Sequence, residues 1–311
     1  MAKPGLRDSD VARARVIPIG GGKGGVGKTF VVANVAVSLA RRGLRVVAVD
    51  ADLEGANLHT CLGVEHPSSS LADYVAEREE DLQKLMADTS VPRLSLIAAT
   101  HANISSSQPS QARRVQLVRA LCDLPADVVL IDLGSGTHPA VMDYFMVGEN
   151  GLVVITPEPT SVENAYAFMR AAFYRRLRLA MVSLDVRKVV AMAMDQRNER
   201  GIRTPLDLLR EVQAVDPTEG TRFVEAMQSF RPRIVMNDVQ SRDDIRLGFS
   251  IRSVCRKYFG IEVEYVGYVN HEDAARRSVR SRTPLVEIEP DCDASVYLRR
   301  IADKLVPKES Q

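Results

Sequence analysis

Residues 20 to 30 read GGGKGGVGKTF, six glycines and two lysines followed by a threonine and a phenylalanine. From Gly22 the segment fits G-x-x-x-x-G-K-[ST], in which glycines let the backbone wrap so that successive N–H groups face a phosphate chain. Gly22, Lys23, Gly24, Gly25, Val26 and Gly27 then form the cradle, Lys28 reaches the terminal phosphates, and the Thr29 hydroxyl is a ligand for magnesium. The N-terminus of the helix that follows adds its own partial positive charge. The chemistry this points to is nucleotide binding and phosphoanhydride cleavage. One lysine is enough for a phosphate cradle, so Lys23 needs a second explanation.

The loop is useful only between a strand and a helix, and its flanks provide both. Upstream is the short apolar run RVIPIG, and downstream FVVANVAVSLARRG has helical apolar spacing and ends at Gly43. Further apolar runs follow: RVVAVD (45–50), LSLIAA (94–99), DVVLID (127–132), GLVVIT (151–156), PRIVMN (232–237) and VEYVGYV (263–269). Continuous apolar strands alternating with helical stretches predict an α/β fold, a doubly wound, mostly parallel sheet covered by helices on both faces. Ligands of such sheets sit beyond the carboxyl ends of strands, which singles out Asp50, Asp132, Thr156 and Asn237. Between GLVVIT and PRIVMN, four capped helical patterns predict a helical insertion at about residues 175–230; the apolar run VVAMAM inside it is read as helix. The expected organisation is one domain over 15–306, preceded by a flexible tail, 1–14, and followed by a short tail, 307–311.

Composition narrows the function classes. Apolar residues make up 45% and charged residues 26% of the 311, with a formal net charge of +1, so bulk charge points to neither nucleic acid nor an acidic substrate. Cys61, Cys122, Cys255 and Cys292 show no C-x-x-C spacing, which argues against an iron–sulfur carrier and predicts reduced thiols in a cytoplasmic protein. His59, His66, His101, His138 and His271 have no metal-ligand spacing, and no G-x-S-x-G is present for serine hydrolysis. No apolar run approaches the roughly 18 residues a membrane span requires.

KGGVGKT with its early lysine, VDAD closing the next strand, VVLIDLGSG, and TPEPTSVENAYAF resemble the deviant Walker A P-loop ATPases of the MinD and ParA group, most of all its FlhG branch. The resemblance implies ATP and magnesium as cofactors and an ATP-dependent homodimer in which Lys23 crosses the interface to the partner's phosphates. It implies that Asp52 orients or activates the attacking water. Asp50 and Asp132 would serve the magnesium shell through water, Asn237 would read the adenine edge, and Pro157 and Glu158 would line the base and ribose region. Asn57 matches a position near the dimer interface. Like charges on two facing nucleotides repel at low effective dielectric, and a cation lent from each side relieves this. The implied activity is a slow, partner-stimulated ATPase switch that positions a flagellum or other polar machine with a protein activator or cargo, at a pole, the nucleoid or the inner face of the membrane.

Three departures qualify the likeness. Phe30 stands where relatives carry a hydroxyl residue that bonds the α-phosphate; its backbone N–H remains, so weaker nucleotide binding is expected, a lost neutral hydrogen bond being worth about 1 kcal/mol. Glu54 replaces glycine close to Asp52. The closing helix in SVYLRRIADKLVPKESQ carries Leu298, Ile301 and Leu305 as a core-facing stripe and lacks the aromatics and lysine run of a membrane-surface helix. The arginines of RRSVRSR (276–282) and of FYRRLRL (Arg175, Arg176, Arg178) allow an alternative, nonspecific DNA binding of ParA type, or else form a solvated face. A third reading is a nucleotide-binding scaffold with little hydrolysis.

Overall fold

The computed structural model describes residues 13–99, 109–148, 150–194, 201–202 and 204–308. Most of the two expected tails, and His101, lie outside the described residues. Eight strands form one sheet: β1 (Arg15–Gly20), β2 (Val46–Asp50), β3 (Ala87–Asp88), β4 (Leu94–Ile97), β5 (Val128–Asp132), β6 (Leu152–Ile155), β7 (Arg233–Val239) and β8 (Glu264–Asn270), in the order β3-β4-β2-β5-β1-β6-β7-β8. Every pairing is parallel except β3 with β4. The two-residue β3 has no apolar pattern to announce it. It exists because the edge of β4 offers unpaired backbone groups to a passing chain.

Alternation along each strand divides the core. Val46, Ala48, Val128, Leu130, Leu152 and Val154 face one side, and Val47, Val49, Val129, Ile131, Val153 and Ile155 face the other. The first side is covered by α1 (Lys28–Arg41), α2 (Leu58–Cys61) and three later helices. The second is covered by α3 (Leu71–Val75), α4 (Gln111–Cys122), α5 (Pro139–Phe145), α6 (Pro159–Ala180), α7 (Leu184–Met194), α8 (Pro205–Val215), α9 (Pro217–Ser229) and α10 (Arg242–Phe259). The remaining helices of the first side are α11 (Asp273–Arg280), α12 (Leu285–Ile288) and α13 (Asp293–Leu305). Both faces of the central strands are therefore buried, which is why their sequences read as continuous apolar runs.

The described part of the stretch between β6 and β7 consists of helices joined by short connections, and VVAMAM lies in α7. Two of its helices begin where small polar side chains take orphan amides: Thr204 and Asp207 form a reciprocal capping box on α8, and Asp216 caps α9. Proline occupies the first turn of α6, α8 and α9, where its missing N–H costs nothing.

Candidate nucleotide site

The loop joining β1 to α1 lies at the carboxyl edge of the sheet, beside the ends of β5 and β6. Gly25 and Gly27 take φ of +80° and +88°, the left-handed region in which a side chain is strained, and the turn at Gly27 delivers the chain into α1. A Cβ on Gly22 would lie 2.0 Å from the Asn164 carbonyl oxygen, because the first turns of α6 pass directly over the loop. The Gly136 amide donates to the Gly21 carbonyl at 3.1 Å and ties the GSG segment after β5 to the same loop. On the far side, Asn237 Nδ2 donates to the Val26 carbonyl at 2.9 Å.

Within this frame Lys28 is only 8% exposed. Burial pulls its pKa below the ordinary lysine value, and the nearby Asp132 and Asp52 carboxylates act the other way. Asp50 and Asp132 are neighbours across the β2–β5 ladder and both are buried. Their burial raises both pKa values: Asp50 to about 7, against the pull of backbone N–H donors, and Asp132 upward through burial and the Asp50 charge, with the Thr29 hydroxyl and Lys28 opposing.

The two buried carboxylates are nonetheless used differently. Asp50 accepts hydrogen bonds from the amides of Asp52, Asn57 and Leu58, each at 3.1 Å, and so folds the 51–58 loop around itself. Asp132 Oδ1 is buried with no hydrogen-bond partner among the described residues. A buried, unpaired carboxylate oxygen is costly unless something is meant to meet it. Beside the Thr29 hydroxyl it is an all-oxygen donor set of the kind a hydrated magnesium ion takes, so the residues fit that cation. Thr29 and Asp132 would hold it, the latter through water, and a divalent cation there would neutralise developing phosphate charge.

Asp52 is half-buried, its Oδ1 accepting from the Gly55 amide at 2.9 Å, and its carboxylate lies against Gly134. It borders a second cleft, of about 440 Å³, together with Glu54, Ser135, His138 and Tyr144. Asn57 is exposed and turns its amide back onto the Gly55 carbonyl at 2.7 Å. Lys23 stands apart from all of these. It is exposed on the rim of the loop, and its ammonium donates to Thr160 Oγ1 in the first turn of α6 at 3.0 Å.

The main cleft, about 640 Å³, opens between the loop and the segments after β7 and β8. Lys23, Gly24, Gly25, Val26, Gly27, Phe30, Glu158 and Asn237 line it, bringing together residues the motif and the likeness had named separately. Glu158 is engaged by the Thr156 hydroxyl, and Pro157 is half-buried between them. Sequence reasoning missed Asp238, Asn270, His271, Glu272, Arg276 and Arg280 as cleft residues. β7 slips register between Met236 and Val239, Asp238 takes φ +61°, and this bulge sets Asp238 Oδ1 2.5 Å from His271 Nδ1.

The arginine-rich stretches are dispersed. Arg277 pairs with Glu289, Arg282 with Glu65, and Arg175 with Asp143, while Arg176 donates to Ser229 Oγ. Among the described residues no helix is long and apolar enough to cross a membrane, and the four cysteines are free thiols.

Known proteins share sequence and fold with this chain. The chain is 26% identical over 294 residues to the antiactivator FleN of Pseudomonas aeruginosa, covering 94% of this chain and 86% of FleN. It is 34% identical over 152 residues to the septum site-determining protein MinD of Synechocystis sp., covering 49% of this chain and 56% of that one. Among solved structures, MinD of Pyrococcus horikoshii complexed with Mg-ADP superposes with a TM-score of 0.66 at 19% identity, over 94% and 96% of the two chains, which is a likeness of fold. The CobQ/CobB/MinD/ParA nucleotide binding domain matches residues 17–285, and the chain belongs to that family.

Proposed function

We propose that this protein is an ATP-hydrolysing dimerisation switch that positions a cellular structure, a flagellum or comparable polar machine. The observation that carries the reading is the division of labour between the two loop lysines. Lys28 is buried among the carboxylates, where a terminal phosphate would be held, whereas Lys23 stays in solvent at the rim, tethered by one hydroxyl. A cation so placed is available to a second copy's nucleotide. In the closed pair the loop amides and Lys28 hold the phosphates, Lys23 crosses to the partner, and Asp52 orients water for in-line attack. Hydrolysis removes the charge that Lys23 senses and reopens the pair. Likeness to an antiactivator over nearly the whole chain, against about half of it for MinD, favours a regulatory role over septum placement, and the resemblance of the motifs to the FlhG branch supports a flagellum as its object. DNA binding is disfavoured because several of the arginines it would need are paired with carboxylates.

Sedimentation with ATP and magnesium tests the switch. Asp52→Ala should sediment as a dimer, Lys23→Ala as a monomer, and the wild type as a mixture that returns to monomer as ATP is spent. Three identical monomers would refute it. Equal, negligible turnover in wild type and Asp52→Ala would instead leave a nucleotide-binding scaffold.

A further inference from the structure

Of the four arginines between 276 and 282, two are occupied, Arg277 with Glu289 and Arg282 with Glu65. Arg276 and Arg280 have no ion pair among the described residues, and both line the main cleft. They are four apart on α11 and so share one face of that helix. Val279 beside them borders Phe30 both in the cleft and in a small adjoining cavity, which puts this face of α11 next to the first turn of α1.

Sheet order decides which end of a nucleotide these guanidinium groups meet. β5 and β2, which carry Asp132 and lead to Asp52, lie on one side of β1; β6, β7 and β8 lie on the other. A triphosphate on the loop, its terminal phosphate toward the carboxylates and Lys28, runs its α-phosphate and ribose toward β7, β8 and α11. At that end Phe30 provides a backbone N–H but no side-chain donor. Among the described residues of this wall the two arginines are cations without an ion pair, and a guanidinium suits phosphate because its N–H groups match two oxygens at once.

We infer that Arg276 and Arg280 clamp the phosphate nearest the ribose, giving from α11 the side-chain contact that Phe30 cannot. The inference rests on the nucleotide reading of the same cleft. It predicts a contact common to ATP and ADP, independent of the γ-phosphate and of dimerisation.

Calorimetric titration of magnesium-ADP and magnesium-ATP into the full chain tests it. Arg276→Ala/Arg280→Ala should weaken both ligands by the same factor, about tenfold or more, as loss of hydrogen bonds between charged groups does. The α-phosphorus resonance of bound ADP should move between wild type and variant. Arg276→Lys/Arg280→Lys keeps the charge and should recover part of the affinity. Both side chains are exposed, so the melting temperature of the nucleotide-free protein should not change. Wild-type ADP affinity in the double alanine variant would overturn the clamp, as would a lysine variant as weak as the alanine one. Loss of affinity for duplex DNA alone, with ADP binding intact, would overturn it too and assign the arginines to a nucleic-acid backbone. A wild type that binds neither nucleotide would sink the nucleotide reading itself, a result separable from failure of the clamp.

Discussion

Gly25 and Gly27 share a backbone conformation and differ in their surroundings, and that difference predicts how each tolerates a side chain. At Gly25, φ +80°, a Cβ would meet nothing within 4 Å; at Gly27, φ +88°, it would lie 2.3 Å from Asn237 Nδ2. Gly25→Ala should therefore cost only the left-handed strain, about 1 kcal/mol. Gly27→Ala should cost more, about 2–3 kcal/mol, because it also expels the amide that holds the Val26 carbonyl. Denaturant unfolding measures both, and nucleotide affinity should fall at least tenfold for Gly27→Ala. Asp132→Asn makes a different prediction. Burial raises the folded pKa of Asp132, so its protonated form favours folding. That contribution is full below about pH 4, where the unfolded carboxyl titrates, and fades as pH climbs toward the raised folded value. Melting of the nucleotide-free wild type should decline with pH over that window, and Asp132→Asn should flatten the decline while losing magnesium-dependent ATP binding. A steeper decline in the variant would contradict the assignment. The glycines, Lys28 and Thr29 were legible in sequence because a phosphate loop is a local device. The unpaired Asp132 oxygen and the three amides on Asp50 were not, since both depend on strands that meet only in the sheet.

Elements were read by their periodicity, and they were missed where tertiary contacts replace it. The predicted runs became β1, β2 and β4 to β8 with ends shifted by one or two residues, and α6 to α9 formed where capped helical patterns stood. Strand β3 and the short helices α2, α3 and α12 carry too few residues for a period to show. Arg276 and Arg280 were visible as a basic run, but which of its charges face the cleft is set by the angle at which α11 leaves β8 and by Glu289 and Glu65 taking their neighbours. One inter-element contact was equally unreadable. Asp143 on α5 receives Arg114 from α4 at 2.8 Å and also Arg175 from α6. All three side chains are mostly buried, so Asp143→Ala would leave two guanidinium groups facing each other. The expected loss is about 2–3 kcal/mol, below that for fully buried pairs because some exposure remains. Arg114→Met/Asp143→Leu/Arg175→Met should regain much of it, since an apolar set of similar volume avoids the desolvation cost. If Asp143→Ala unfolds at the wild-type denaturant midpoint, the three helices are held by packing alone.

At the scale of the whole molecule, the sheet presents its chemistry along its carboxyl edge, and α13 covers one of its faces between β8 and α1. Leu298, Ile301 and Leu305 are each no more than 1% exposed, packed against β8 and α1, as the sequence stripe implied. Arg42 donates to the Val306 carbonyl at 2.7 Å and Lys304 to the Val266 carbonyl at 2.8 Å, so cationic side chains fix the end of the helix to both α1 and β8. A helix lying in a membrane surface needs its apolar face outward, and freeing that face here would uncover the flank of the sheet from β8 to α1. Leu298→Ala should therefore behave as a core truncation, costing about 2–5 kcal/mol in denaturant unfolding. Co-sedimentation of the folded variant with anionic lipid vesicles should match that of the wild type. Unchanged stability together with lost vesicle binding would show that α13 leaves the fold to reach lipid, and the packing account of this flank would have to be abandoned.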